Sequence, residues 1–341
     1  MKMKASICTR YGSADVLELQ NIDKPIAKAN EVLVKIHASN TTAADSMMRQ
    51  GNPYYGRLFL GLTKPKFPIT GTGFAGIIEA VGAEVTAFEI NDEVFGESIL
   101  GSGTNTEYVC VPEDALIMPK PRNLTFAQAS TLCDGALTSI NMLLNLGKIK
   151  PGQRVLINGA SGSLGSTGIQ IAKQFGAHVT AVCSAVNIKM VKDLGADEVI
   201  DYHQQDFTLT EDSYDIIYDS IGKRSYSECK AALKENGRYV SPVLSLPLLG
   251  LMLWTGLLNK ISHKFGLGKT AHFTATGLLP PAELKVMLLQ LLAMIEAEKL
   301  IPIIDRSYSL DEISAAHQYV DTGRKKGNVV IKLAIESNKQ A

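Results

Sequence analysis

Three glycines, Gly159, Gly162 and Gly165, stand at G-x-x-G-x-x-G spacing within RVLINGASGSLGSTGIQIAKQFGAHVTAVCSA, which begins at Arg154. The apolar run before them predicts a strand and STGIQIAKQFG predicts a helix, so the glycines make a strand-to-helix turn. Such a turn suits a dinucleotide's pyrophosphate. Gly162 lets backbone approach the ligand, and Gly165 permits close helix–strand packing. The amides of Ser163, Leu164 and Gly165 open the helix toward the phosphates, aided by the helix dipole, and Ser161 adds a hydroxyl inside the turn. The spacing is looser than G-x-G-x-x-G, so the strand–turn–helix–strand context carries the assignment. The second strand, HVTAVC, ends at Cys183 and runs into Ser184, Ala185, Val186 and Asn187. A carboxylate there, about twenty residues past the glycines, would bond a ribose 2′-hydroxyl. Ser184 and Asn187 stand in its place, with Lys189 and Tyr202 expected nearby, which favours NADPH over NADH.

The remaining reactive side chains are scattered. His37, His178, His203, His263, His272 and His317 lack metal-ligand spacing, and the five cysteines contain no C-x-x-C pair. That pattern offers neither a zinc cluster nor a disulfide framework. Asp45 reads as a structural carboxylate and Asp219 as a residue shaping the carboxyl edge of a sheet. Tyr54 and Tyr55 in GNPYYGRLF read as loop aromatics that are also candidate proton donors.

The elements that must position these residues follow from patterning. The first third holds short apolar runs such as EVLVKIHAS, GFAGIIEAVGAEV and TEYVCVP, punctuated by Gly, Pro and Asn, and predicts a strand-rich domain. FAQASTLCDGALTSINMLLNLG switches to helical spacing. From RVLING onward strands and helices alternate, including a helix over SYSECKAALKENG, which predicts an α/β domain with a doubly wound parallel sheet. AELKVMLLQLLAMIEAEKL predicts an amphipathic helix after Pro280–Pro281, and NVVIKL a closing strand. The domains are read as 1–124 (β-rich), 125–278 (cofactor-binding) and 279–341, the last completing the first.

Of 341 residues, 45% are hydrophobic and 20% charged, a globular balance. Lys+Arg and Asp+Glu both total 34, and zero net charge argues against nucleic acid or an anionic membrane as a partner recruited by overall charge. The N-terminus MKMKASICTRYG lacks a continuous apolar core, so a reduced, cytoplasmic protein is expected. SPVLSLPLLGLMLWTGLL, Ser241–Leu258, is nearly free of polar groups. Pro242 and Pro247 argue against a membrane span, leaving a buried helix or lid over an apolar substrate cleft, or a subunit contact. Peripheral membrane contact through Trp254, Lys260 and Lys264 is the other reading.

Taken in order, GTGFAGIIEAVG, DEVFG, TEYVCVPEDAL, ASTLCDGALTSINML, GASGSLGSTGIQIAKQFGA, LGADEVIDY, YDIIYDSIG and GNVVIKL resemble the successive blocks of the medium-chain dehydrogenase/reductase superfamily, in its zinc-free, zeta-crystallin-like quinone oxidoreductase branch. The resemblance implies a Rossmann domain beside a GroES-like catalytic domain, a homodimer, and hydride transfer from NADPH to a small lipophilic quinone or α,β-unsaturated carbonyl. Zinc-containing members carry a His-Glu pair where this chain has Thr72-Gly73, and a cysteine where it has Ala38–Asn40, so no zinc is expected. The resemblance sets Thr138 beside the nicotinamide and makes Lys326, in Lys326-Gly327-Asn328 where relatives show R-G-K, a 2′-phosphate contact. Thr42 and Met47 replace an asparagine and a tyrosine of relatives. Two alternatives follow: a zinc-independent alcohol or aldehyde oxidoreductase, and a membrane-associated cofactor-binding protein with vestigial activity.

Overall fold

A computed structural model describes residues 1–98, 103–243 and 268–333. The strand-rich opening forms β1 (Lys2–Cys8), β2 (Leu17–Asp23), β3 (Glu31–Thr41), helices α1 (Ala43–Gln50) and α2 (Arg57–Leu60), then β4 (Gly73–Val81), β5 (Glu93–Glu97), β6 (Tyr108–Pro112), β7 (Ile117–Pro119) and α3 (Phe126–Ala129). The next stretch, read as helical, consists of α4 (Leu137–Ile140) between two wider π-helical turns, Leu132–Ala136 and Asn141–Leu146. Then follow β8 (Arg154–Asn158), α5 (Ser163–Gln174), β9 (His178–Cys183), α6 (Ile188–Asp193), β10 (Glu198–Asp201), β11 (Tyr214–Asp219), α7 (Tyr226–Cys229), β12 (Leu233–Ser241) and β13 (Thr270–Phe273). Helix α8 (Pro281–Glu296), β14 (Ile304–Ser309), α9 (Ile313–Asp321) and β15 (Asn328–Lys332) close the described chain.

Two compact units result, Met1–Asp134 with Pro302–Ala341, and Gly135–Ile301. Both divisions lie further along the chain than positions 124 and 278. Helix α8 accounts for the second shift: it packs on α4 within the second unit, burying Leu284, Met287, Leu288, Leu291 and Ile295.

The second unit holds a six-stranded sheet ordered β10-β9-β8-β11-β12-β13, every pair parallel. This is the doubly wound order 3-2-1-4-5-6, whose direction of winding reverses between β8 and β11. Burial along β8 and β9 is nearly continuous, as expected of strands covered on both faces. One sequence expectation gave way here. Helix α7 stops at Cys229, and the KENG stretch belongs to β12, because Leu233 is fully buried and pairs with Tyr214. The apolar run 241–258 lies, beyond Val243, outside the described residues, as do Lys260 and Lys264. Among the described residues no helix is long and apolar enough to cross a membrane.

The first unit pairs β1 with β2 and builds a second sheet ordered β14-β15-β3-β4-β5-β7, with β6 also on β3. Its core gathers Val32, Val34, Ile36, Phe74, Ile78 and Val94 with Ile313, Ala316 and Val320 of α9. Between α1 and α9 the buried Arg49 donates to Gly12 O at 2.7 Å and pairs with Asp321. His317 is fully buried beside them, and neither ring nitrogen has a partner among the described residues. Burial, reinforced by the Arg49 charge and opposed by Asp321, pushes its pKa down to about 3.

The unfolded chain therefore takes up a proton at His317 below about pH 6.5 while the folded chain stays neutral, so stability is lost as pH falls toward 3. The slope from this residue reaches about 1.4 kcal/mol per pH unit. Denaturant titrations between pH 6.5 and 4 should show a steeper loss for the wild type than for His317→Leu; parallel curves would refute the assignment.

Candidate functional site

At the reversal of winding, Asp219 at the end of β11 lies opposite Asn158 at the end of β8. Ligands of open parallel sheets bind at the carboxyl edge beside this point. The loop after β11 is gathered onto Asp219, whose carboxylate accepts from the amides of Ile221, Gly222 and Arg224, from Asn158 Nδ2 at 3.0 Å and from Tyr239 Oη at 3.0 Å.

The glycine turn sits at the same edge. The amides of Gly159 and Ala160 donate to Val182 O at 3.2 and 3.0 Å, which pins the turn to β9. Gly162, with φ −76° and ψ 179°, caps α5 without a side-chain acceptor. The first-turn amides of Ser163, Leu164 and Gly165 have no intrahelical partner and are free for an anion. The glycines do different jobs. A Cβ on Gly165 would sit 2.3 Å from Gly159 O and 2.6 Å from Ala160 Cα, so close packing requires its absence. A Cβ on Gly162 would meet only Gly159 O, at 3.4 Å, so nothing within the fold demands glycine there. Gly159 has φ +81°, which favours glycine outright.

The loop after β9 completes this face. Asn187 Nδ2 donates to Ser161 Oγ at 3.0 Å and to Ser184 Oγ at 3.2 Å, joining three residues singled out in the sequence into one cluster. Each serine Oγ accepts from Asn187 and so keeps its own hydroxyl proton to donate outward. Asn187 Oδ1 and Ser163 Oγ are buried without a partner among the described residues. Tyr202 is exposed beside them, its amide donating to Cys183 O at 3.3 Å and its ring 4.3 Å from His203. Lys189 instead pairs with Asp193 on α6.

Two participants escaped the linear reading. Parallel pairing sets Asp201, the last residue of β10, opposite Cys183, so a carboxylate does reach this edge from the adjacent strand. Asp201 Oδ1 accepts the His203 amide at 3.1 Å. Ser139 is the other: its buried Oγ lies 2.8 Å from Leu164 O and 2.9 Å from Gly135 O, latching α4 to the first turn of α5. Thr138 is its half-buried neighbour on α4.

Tyr54, Tyr55 and Lys326 belong to the first unit. Tyr54 is exposed beneath the Arg57 guanidinium, and the Lys326 amide donates to Asp305 Oδ2 at 2.8 Å. The same unit buries a set of acids that no local motif announced. Thr42 and Asp45 form a capping box at the start of α1, with Asp45 Oδ2 accepting from Thr42 N and Oγ1, each at 2.8 Å. Burial nevertheless pushes Asp45 up to about 7. Glu97 is pushed up to about 8 by burial and then by the charges of Asp134 and Asp45. Asp134 is also raised by burial, against the pull of Lys325, and burial lowers Lys325 itself. Spacing gives no hint of these groups because β5, the π-helical turn and the β15 approach are distant in sequence.

Residues 28–122 match the alcohol dehydrogenase GroES-like domain, and residues 194–331 match the zinc-binding dehydrogenase family. Over 97% of this chain and 79% of the relative, the sequence is 33% identical to 2-methylene-furan-3-one reductase of Solanum lycopersicum. It is 32% identical, over 97% of this chain and 89% of the relative, to the mitochondrial NAD(P)H oxidoreductase RTN4IP1 of Bos taurus. The quinone oxidoreductase structure from Coxiella burnetii superposes with a TM-score of 0.82 at 28% identity, covering 98% of this chain and all 100% of the other. The residues do not suit the zinc that one family description carries. Thr72 offers a hydroxyl, Gly73 no side chain, and Asn40 Oδ1 accepts the Gly73 amide at 3.2 Å. Among the described residues no group of three or more His, Cys, Asp or Glu could hold a metal ion.

The two inner glycines should separate binding from folding. Gly162→Val should change stability by less than about 1 kcal/mol while weakening pyridine-nucleotide binding at least about tenfold, since its side chain enters the ligand's space. Gly165→Ala should destabilise by about 1–3 kcal/mol through overpacking. Thermal melts with and without nucleotide read both; equal effects from the two variants would refute the division of roles.

Proposed function

Because the chain belongs to the quinone oxidoreductase branch of the medium-chain dehydrogenase/reductase superfamily, we propose that it reduces quinones or α,β-unsaturated carbonyls with NADPH and without zinc. The observation that carries this reading is the unsatisfied first turn of α5, capped by Gly162 and open at the reversal of strand winding. The names of relatives, a furanone reductase and a quinone oxidoreductase among them, support the substrate class.

A bound nicotinamide cofactor supplies hydride to an electrophilic carbon of the substrate. The chain's own task is to bind and orient. The amides of Ser163, Leu164 and Gly165 would take the diphosphate. Ser161 and Ser184, with their protons freed by Asn187, would donate to a 2′-phosphate. Asp201 opposes that anion, although its Oδ1 is engaged by the His203 amide. The family resemblance makes Lys326 a further candidate contact for that phosphate. Thr138, fixed on α4 by the Ser139 latch, orients the nicotinamide or its ribose. A hydrogen-bond donor at the substrate carbonyl lowers the barrier as charge develops there, and the candidate proton sources are the cofactor's ribose hydroxyl, water, Tyr54 and Tyr55.

Steady-state oxidation of NADPH and NADH against quinones, enones and aldehydes, with and without chelator, tests the reading. Turnover of quinones or enones should be insensitive to chelator and favour NADPH by about tenfold or more in kcat/KM. Chelator-sensitive alcohol oxidation, or a preference for NADH, would overturn it. Lys326→Ala should raise KM for NADPH more than for NADH; equal increases would remove Lys326 from 2′-phosphate recognition.

A further inference from the structure

We propose that residues 54–66 of the first unit form a docking surface for an anionic phospholipid membrane. Within nine residues around α2, Tyr54, Leu58, Phe59 and Leu62 are each 68–74% exposed. A single exposed leucine is ordinary, but four large apolar side chains on and directly flanking one short helix mark an interaction surface. The element is held from its inner side. Tyr11 Oη donates to Gly61 O at 2.6 Å, Arg57 Nε donates to Gly51 O at 3.0 Å, and the Lys66 amide donates to Leu60 O at 2.6 Å. The Arg57 guanidinium lies 4.3 Å from the Tyr11 ring centroid and 4.7 Å from that of Tyr54. The backbone is therefore fixed inward while Leu58, Phe59 and Leu62 face water.

Charge selects the occupant. No Asp or Glu occurs between Asp45 and Glu79, a stretch that the overall balance of 34 basic and 34 acidic residues conceals. Lys64 and Lys66 are exposed, and among the described residues neither pairs with a carboxylate. A second copy docking here about a twofold axis would set these lysines against their own kind with no acid in the patch to receive them. An anionic bilayer instead accepts apolar side chains below its headgroups and ammonium groups among its phosphates. This surface is separate in sequence from the apolar run 241–258; it shares Tyr54 and Tyr55 with the reductase reading, but its test reads vesicle binding through Leu58, Phe59, Lys64 and Lys66, which that reading does not use.

Vesicle flotation of the full chain tests it, comparing phosphatidylcholine alone with phosphatidylcholine carrying about 30 mol% phosphatidylserine. The wild type should float with the anionic vesicles, and added salt should weaken that binding. Leu58→Glu with Phe59→Glu should reduce binding at least about tenfold with the melting temperature retained, because both side chains already face solvent. Lys64→Glu with Lys66→Glu should abolish the preference for anionic vesicles. Absence of flotation by the wild type, or wild-type flotation by Leu58→Glu/Phe59→Glu, would overturn the proposal. So would a loss of oligomeric mass in that variant with vesicle binding intact, which would assign the face to contact between copies.

Discussion

The amides that open α5 have no acceptor of their own, and this constraint organises the second unit. Strand β8 delivers them to the carboxyl edge of the sheet. Gly165 is kept bare so that helix and turn can touch, and Val182 O holds the turn from the side. Asp219 draws the next loop onto itself, which keeps that loop's amides engaged and the edge open. Ser139 ties α4 to the same helical turn through Leu164 O, so Thr138 is set relative to the phosphate end of the site by a hydrogen bond as well as by packing.

The first unit solves a different problem. It encloses ionisable groups that water would otherwise solvate, and it does so by changing their charge. Asp45 and Glu97 hold protons in the folded state to about 7 and about 8, whereas the unfolded chain releases them near the ordinary carboxylate range. Their contribution to stability is complete in acid and is lost as pH rises through those values. His317 acts with the opposite sign, losing stability in acid. Protons thus limit the unit from both sides, and the Arg49–Asp321 pair joins α1 to α9.

Much of this was legible in the linear chain because it depends on local periodicity. The alternation after Arg154, the glycine turn and the hydroxyl-rich end of β9 are local patterns, and Ser161, Ser184 and Asn187 stand out within them from the linear chain alone. What escaped depends on pairing between distant segments. Asp201 reaches the cofactor edge through strand register rather than sequence proximity to the glycines. Glu97, Asp134 and Lys325 come from three regions and meet only in the folded unit. The KENG stretch carries helical spacing, yet pairing of Leu233 with Tyr214 decides its conformation. The placement of α8 likewise follows from its packing on α4, which no boundary signal in the sequence records.

The order of the first unit's sheet has a consequence for synthesis. Strand β15 lies between β14 and β3, so the hydrogen-bonding edge of β3 is closed by nearly the last described residues to leave the ribosome. Gly135–Ile301 is continuous and can complete its own sheet first. Meanwhile the nascent N-terminal sheet presents an unpaired border rich in buried-type residues, Ala38 to Thr41, for as long as translation of the intervening segment takes.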